Sequence, residues 1–293
     1  MKVESLMRPD TQDEWGIKEL QNAILNIAKY IHDFCEENGI DYCLMGGSAL
    51  GAVRHGGFIP WDDDLDLFMS VDNYRKFKEL FEKKGDHERY YLQEKGVCDG
   101  VATSAKLRMN GTTFIEDMTK DWDIHQGIFV DIMMLRNYPD GKWERKWFLF
   151  WEKFFYIRAA ASLHYNRKGK LAELLLVPFR WIPYNFLRSF GIKQIRKCWK
   201  KETQYYFHYY YSLPLSHSIY PKHLFDKFEE ADFETIKLRV PAGVKEYLTI
   251  LFGDYMQIPD INEIRFRQHT SNWSVTKPFE KRGKGTFDDE KYY

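Results

Sequence analysis

Little in this sequence would staple it or anchor it. Its four cysteines, Cys35, Cys43, Cys98 and Cys198, form no Cys-x-x-Cys pair and follow no regular spacing. That excludes a disulfide scaffold and the common zinc ribbons, and four reduced thiols in a cytosolic chain are the expectation. No apolar run reaches the roughly 18 uncharged residues of a membrane-spanning helix. The nearest approach, "LAELLLVPFRWIPYNFL", carries Glu173, Arg180 and two prolines; it suits lying on a bilayer better than crossing one. The opening stretch "MKVESLMRPDTQDEW" has no apolar core of signal-peptide length. Net charge is absent as well, with 43 Lys+Arg against 43 Asp+Glu, and no nucleic-acid partner is expected.

Aromatics are abundant instead: 22 Phe, 19 Tyr and 9 Trp, or 17% of 293 residues. Most aromatic side chains fill cores, and an excess can line a pocket or face a membrane. The charges are also unevenly spread. Between Lys142 and Lys201 there are 15 Lys or Arg against 3 Glu, an excess of 12. A surface facing an anionic membrane or polyanionic acceptor is one reading of that block. A solvated basic face is the other.

Apolar residues recur at helical spacing from Glu14 to Asn38, and Gly39 supplies the stop. "IDYCLM" reads as a short strand, "GGSALGAV" as a turn into a short helix, and "LDLFM" as a second strand. Ser70 is placed to cap a helix running to about Lys84. "AKLRMNGTTFIE" reads as a hairpin turning at Asn110-Gly111. "GIFVDIMML" is a further strand, with Phe129, Asp131 and Met133 on one face. Beyond Asp140 the pattern changes to long aromatic, basic helices. The expected fold is therefore α/β (α+β): a mixed sheet with flanking helices in 1–139, and a mainly helical, basic part in 140–293 that completes the acceptor side. The turn sequence Tyr138-Pro139-Asp140-Gly141 marks the expected boundary.

The most informative stretch is Gly46 to Met69, "GGSALGAVRHGGFIPWDDDLDLFM". It holds five glycines and four aspartates in 24 residues. Carboxylates so close repel one another and raise one another's pKa, so a cation is expected among them. Asp64 and Asp66, two apart on a strand, would leave the same face about 7 Å apart. Asp131 on another strand could add a third oxygen ligand. An all-carboxylate set suits Mg²⁺ or Mn²⁺ better than Zn²⁺. Gly47 and Ser48, between a strand and a helix N-terminus, suit a phosphate. A phosphate cradle beside a metal-binding carboxylate set describes phosphoryl or nucleotidyl transfer. Asp62 and Asp63 either join the metal or hold the loop. Arg54 is a candidate phosphate fork, and His55 either a base or a loop tie. Lys106 and Arg108 flank Leu107 on one strand face, to meet a phosphate or to make cross-strand ion pairs.

Gly-Ser, then Asp-x-Asp, then a later aspartate is the order found in the nucleotidyltransferase superfamily. The uninterrupted "LGAVRHGGFIPWDDDLDL" further resembles the signature of the LicD family of phosphocholine transferases, which includes fukutin and fukutin-related protein. "AKLRMNGTTFIE", "GIFVDIMML" and "VPAGVKEYLTILFGDYMQIPD" followed by His269 add to the likeness. Where the family would show a phrase like "DIFPLD", this chain has "DIMMLR", ending on Arg136 in place of an acidic residue.

The resemblance implies metal-dependent transfer of phosphocholine from CDP-choline to a hydroxyl of a lipopolysaccharide, teichoic acid or similar glycan, with CMP leaving. Asp64, Asp66 and Asp131 would hold the metal. Trp61 and Trp122 lie near this site in sequence and could meet a choline head group, although a core role suits either. Other activated donors, such as CDP-ribitol, CDP-glycerol or a nucleoside triphosphate, fit the same core. A catalytically inactive, membrane-associated scaffold is the non-enzymatic alternative, which retention of all three aspartates disfavours.

Overall fold

In a computed structural model of the chain, residues 3–94, 104–116, 120, 124–162, 184–199, 201–208, 214–260, 270 and 272–280 are described. The first apolar stripe forms α1, Lys18–Asn38, and Gly39 closes it in the left-handed region at φ 57°. The helix starts later than the expected Glu14. Gly16 turns the chain at φ 68°, and the Asp13 carboxylate accepts from the N–H groups of Ile17 and Lys18. Strand β1, Cys43–Leu44, leads into α2, Gly46–His55; β2, Asp66–Ser70, leads into α3, Val71–Lys84. Ser70 caps α3 as expected, its side chain accepting from Asn73 N at 3.2 Å.

Strands β3, Tyr90–Glu94, β4, Ser104–Met109, and β6, Phe129–Tyr138, complete a sheet of order β1-β2-β6-β4-β3. The β2/β6 pair is parallel; β1/β2, β4/β6 and β3/β4 are antiparallel. Register puts Asp66 opposite Asp131, Asp131 opposite Lys106, and Lys106 opposite Gln93. The charged side chains of the motif thus meet in one row across the middle of the sheet. The apolar faces of α1 and α3 pack together through Phe34, Phe77 and Phe81 in the main core.

The expected hairpin over residues 105–116 is corrected by the pairing. Asn110-Gly111 does turn the chain, with Gly111 at φ 73°. Yet β5, Thr113–Phe114, pairs with β11, Trp273–Ser274, rather than with β4. The reason is that β3 and β6 already occupy both edges of β4. Asn110 instead bonds the carbonyls of His87 and Glu88.

After Tyr138 the chain enters α4, Lys142–Ser162, and later α5, Tyr184–Arg196. It then returns as β7, Tyr205–Phe207, which pairs with the end of β6, and β8, Ile219–Pro221, which pairs with β7. A hairpin of β9, Phe228–Phe233, and β10, Ile236–Pro241, precedes α6, Val244–Phe252. Tyr220, Phe225, Tyr247 and Leu248 join the main core, whereas Tyr138, Phe148, Trp151, Phe155, Ile195 and Phe207 form a second, smaller one. Arg136, where the family pattern has an acid, is buried between β6 and α4 in a two-pronged ion pair with Glu152, at 2.5 and 2.9 Å. Cys35, Cys43 and Cys198 are buried free thiols, and Cys98 lies outside the described residues. No described helix is long and apolar enough to cross a membrane.

Two buried histidines make the fold sensitive to acid. Burial first, then the charge of Arg136, pushes His208 down to about 3. Burial and then Arg108 do the same to His125, which stacks on Tyr91 at 5.0 Å. Each is neutral when folded and takes a proton near 6.5 when unfolded, so its stabilising contribution is complete above that pH and falls as pH drops towards 3. Between pH 7 and 5 each histidine should remove about 2 kcal/mol, from a slope of ~1.4 kcal/mol per pH unit. Urea unfolding of wild type and His208→Phe at both pH values measures this. The variant should lose about 2 kcal/mol less than wild type over that interval, and equal losses would refute the assignment.

Candidate active site

The site is built where β1 and β2 end beside α2. Met45 N donates to Asp66 O at 3.0 Å, and Asp66 N donates to Ser48 Oγ at 2.9 Å. Ser48 therefore ties the helix start to the first residue of β2. The N-terminal N–H of Gly46 is taken by the hydroxyl of Tyr247, from α6, at 2.8 Å. Beside it a Cβ on Gly47 would lie 2.9 Å from Asp62 Oδ2. Only a glycine lets that carboxylate approach the positive end of the helix. Farther along α2, a Cβ on Gly51 would lie 2.4 Å from Gly57 O, because the loop leading to the aspartates crosses the helix there.

This loop is fastened along its length. Gln21 of α1 donates to Ile59 O and Asp62 O. Asp63 is buried and accepts from Thr270 N at 3.3 Å, so it joins the loop to the C-terminal segment. Glu234, in the left-handed region at φ 55°, accepts from Arg8 N, Thr11 Oγ1 and Phe58 N. Asp64 lies in the loop one residue short of Leu65, and β2 begins at Asp66, so the two carboxylates do not share a regular strand as expected.

Asp66 lies at the centre of the charge. Its carboxyl is held well above the usual carboxylate range, first by burial, then by Asp64 and Asp131, with Lys106 opposing and Asp62 adding. Three neighbouring carboxylates thus act on Asp66 against one ammonium. Lys106 Nζ donates to Asp131 at 2.9 Å and to Glu116 at 3.4 Å, and sits 3.4 Å above the Phe129 ring. Arg108 is buried and donates to Gln93 Oε1, Gly127 O and Glu116 Oε2. Both cations of β4 are therefore engaged by the protein itself.

Arg54 and His55 are half-buried and are likewise engaged by the protein. Arg54 Nη1 donates to Tyr255 O at 2.9 Å, and Arg54 Nε donates to His55 Nε2 at 3.0 Å. Burial, Arg54 and Arg8 lower the His55 pKa, keeping the ring neutral. Trp61 packs edge-on against Trp15 and His55. Trp122 and His269 lie outside the described residues. A cavity of about 350 Å³ lies along β5 and β11, lined by Ile115, Lys120, Asn272 and Phe279 among others. It adjoins the cluster in sequence, since Ile115 precedes Glu116.

Sequence reasoning passed over Glu116, Gln93, Tyr247 and Glu234. Glu116 and Tyr247 lie inside quoted stretches, but no spacing rule connects them to the aspartates. Only the sheet register and the return of α6 bring them close.

Among the described residues no three His, Cys, Asp or Glu side chains already stand in metal-ligand geometry. The donor set nevertheless fits a hard divalent cation. Its ligating atoms are all carboxylate oxygens, and the surplus of negative charge around Asp66 is what such an ion offsets.

Comparison with known proteins gives a consistent picture. Residues 39–191 match the family described as LicD/FKTN/FKRP, nucleotidyltransferase domain. The chain is 32% identical over 260 residues to the lipopolysaccharide cholinephosphotransferase LicD of Haemophilus influenzae, covering 83% of this chain and 92% of that one. It is 34% identical over 89 residues to the human ribitol 5-phosphate transferase FKRP, covering 29% of this chain but 18% of that protein. A weaker match, 24% identical over 127 residues, is to mannosyltransferase regulator 4 of Saccharomyces cerevisiae, covering 41% of this chain and 10% of that protein. Gly47 and Ser48 at the start of α2, the Asp64-x-Asp66 segment and the Asp131 strand all fall within the matched segment, and the chain belongs to the LicD family of transferases.

Proposed function

We propose that this protein transfers phosphocholine from CDP-choline to a hydroxyl of a cell-surface glycan, with lipopolysaccharide the leading acceptor class. The reading rests on one observation above the others. The row Asp66–Asp131–Lys106 stands in a chain that is similar along 83% of its length to a lipopolysaccharide cholinephosphotransferase.

The chemistry asked of the site is one displacement at phosphorus. The acceptor oxygen forms a bond to the phosphorus carrying choline, and the bond from that phosphorus to the oxygen of CMP breaks. The acceptor proton passes to a carboxylate of the cluster. Asp64, Asp66 and Asp131 would hold Mg²⁺ or Mn²⁺, which when bound would offset the charge of the diphosphate. Lys106 holds Asp131 in place and keeps part of the negative field in check. Gly47 and Ser48 set the spacing between the helix start and the aspartates, and the Asp62 carboxylate beside Gly47 occupies the position suited to an anion. Donor binding on the α2 N-terminus therefore requires Asp62 to turn aside, towards a cation. Arg54, His55 and Arg108 are proposed to shape the donor pocket from behind, since their side chains are tied to the protein.

A second donor class has its own support, the partial likeness to a ribitol 5-phosphate transferase. One screen separates the two: release of free nucleotide from CDP-choline, CDP-ethanolamine, CDP-ribitol, CDP-glycerol and UDP-linked sugars in the presence of Mg²⁺. CDP-choline should be consumed fastest. By calorimetry it should bind more tightly than CDP-ethanolamine by about 1–2 kcal/mol, because a quaternary ammonium gains more from aromatic faces. Preferential consumption of CDP-ribitol would replace the phosphocholine reading, and equal affinity for the two amines would remove the aromatic-cage argument.

A further inference from the structure

The helix α4 has two aromatic stripes, and only one is used by the core. Phe148, Trp151 and Phe155 are buried against β7 and α5. Gly191 of α5 lets that helix close on Trp151, since a Cβ there would lie 2.3 Å from the indole. The opposite stripe reads Trp143, Lys146, Trp147, Phe150 and Lys153, at helical spacings of three and four. Trp143 is 78% exposed, Trp147 47% and Phe150 53%, and Phe190 of α5 adds a fourth ring at 44%. Trp147 and Phe150 stack at 5.6 Å, and Lys146 Nζ lies 4.7 Å over the Trp143 ring. Among the exposed charged side chains described on α4 and α5, Glu144 alone is acidic, and it is paired with Lys201 at 2.9 Å.

We propose that this face of α4 and α5 docks on an anionic lipid surface. Two features select lipid over a protein partner. Lysines are depleted from the centres of protein interfaces, yet here they alternate with the rings along one stripe. Trp is suited to the headgroup layer, with an apolar body and one N–H donor, and Lys can lay its stem on the apolar rings while its ammonium stays among phosphates. The buried stripe fixes the helix to β7 and the end of β6, the strand that carries Asp131 near its start, so docking would hold the site at a fixed height above the membrane. The docking claim itself needs no assumption about the donor.

Sedimentation of the full chain with phosphatidylglycerol-containing vesicles, against pure phosphatidylcholine vesicles, tests it. Binding should be strong to the anionic vesicles at low salt, weak to the neutral ones, and largely lost by about 0.5 M salt, where the Debye length is near 4 Å. Trp147→Gln with Phe150→Gln should lower vesicle affinity by at least about tenfold, since apolar area drives insertion. Its far-ultraviolet circular dichroism and solution nucleotide release should stay as in wild type. Lys146→Glu with Lys153→Glu, at exposed positions, is the second variant and should also release the protein. The proposal is overturned if wild type stays in the supernatant with anionic vesicles at low salt, or if both variants bind as wild type does. It is also overturned if the face proves to join two copies, with wild type running as a dimer that the aromatic variant dissolves.

Discussion

Asp66→Asn should lose at least about a hundredfold in turnover, equivalent to roughly 2.7 kcal/mol of transition-state stabilisation, while its fold survives. The substitution keeps the shape of the side chain and removes its charge. Asp66 stands opposite Asp131 in the register and is crowded by Asp64 and Asp62. A carboxylate kept charged in that company destabilises the protein unless a cation joins it, so its loss should raise the melting temperature of the metal-free protein. The two signs together are diagnostic. A structural aspartate would lower stability on substitution, whereas a functional one held against repulsion lowers activity and raises stability. Mg²⁺ should raise the melting temperature of wild type and have little effect on Asp66→Asn, a readout that does not depend on substrate. Near-normal transfer by Asp66→Asn in saturating Mg²⁺, or an undiminished Mg²⁺ shift, would remove Asp66 from the proposed metal site.

The largest effect on stability is expected at the pair Arg136–Glu152. Both side chains are about 1% exposed, and they make two hydrogen bonds to each other. The Phe148 and Phe207 rings lie 5.8 and 5.4 Å from the guanidinium carbon. Glu152→Leu strands a guanidinium in apolar surroundings and should cost about 3–5 kcal/mol, a fall of roughly 5–8 °C in melting temperature. Arg136→Met combined with Glu152→Leu removes both charges and should recover most of that loss, because the double variant no longer desolvates an unpaired ion. The comparison requires the single and the double variants together. A Glu152→Leu variant within about 1 kcal/mol of wild type would show that the pair does not hold α4 to β6.

Much of the fold was legible in residue order. Periodicity located α1 and α3, Ser70 marked a cap, and Gly39 a stop, because those signals depend only on a residue and its neighbours three or four positions away. The same holds for the strand at Asp131 and for the stretch that identified the family, since a loop of glycines and aspartates has few alternative uses. The hairpin at Asn110-Gly111 was misread for a complementary reason. The turn is local and is present, but which strand β5 pairs with depends on whether an edge of β4 is free, and β3 and β6 had taken both.

The sequence by itself determined the residue types of the candidate site, the order in which they occur and the absence of any apolar run long enough to span a bilayer. Tertiary structure alone decided how they are used. It aligned Asp66, Asp131 and Lys106 in one row, drew Lys106 and Arg108 into ion pairs with Asp131 and Glu116, and set Asp62 against the start of α2. It also divided the aromatics of α4 between core and surface, burying Phe148, Trp151 and Phe155 and leaving Trp143, Trp147 and Phe150 outside. The physical reason is one of range. Helix periods, caps and turns are set by contacts within a few residues of the chain, whereas charge pairing and burial depend on strand register and helix docking between segments tens to hundreds of residues apart, which no local pattern encodes.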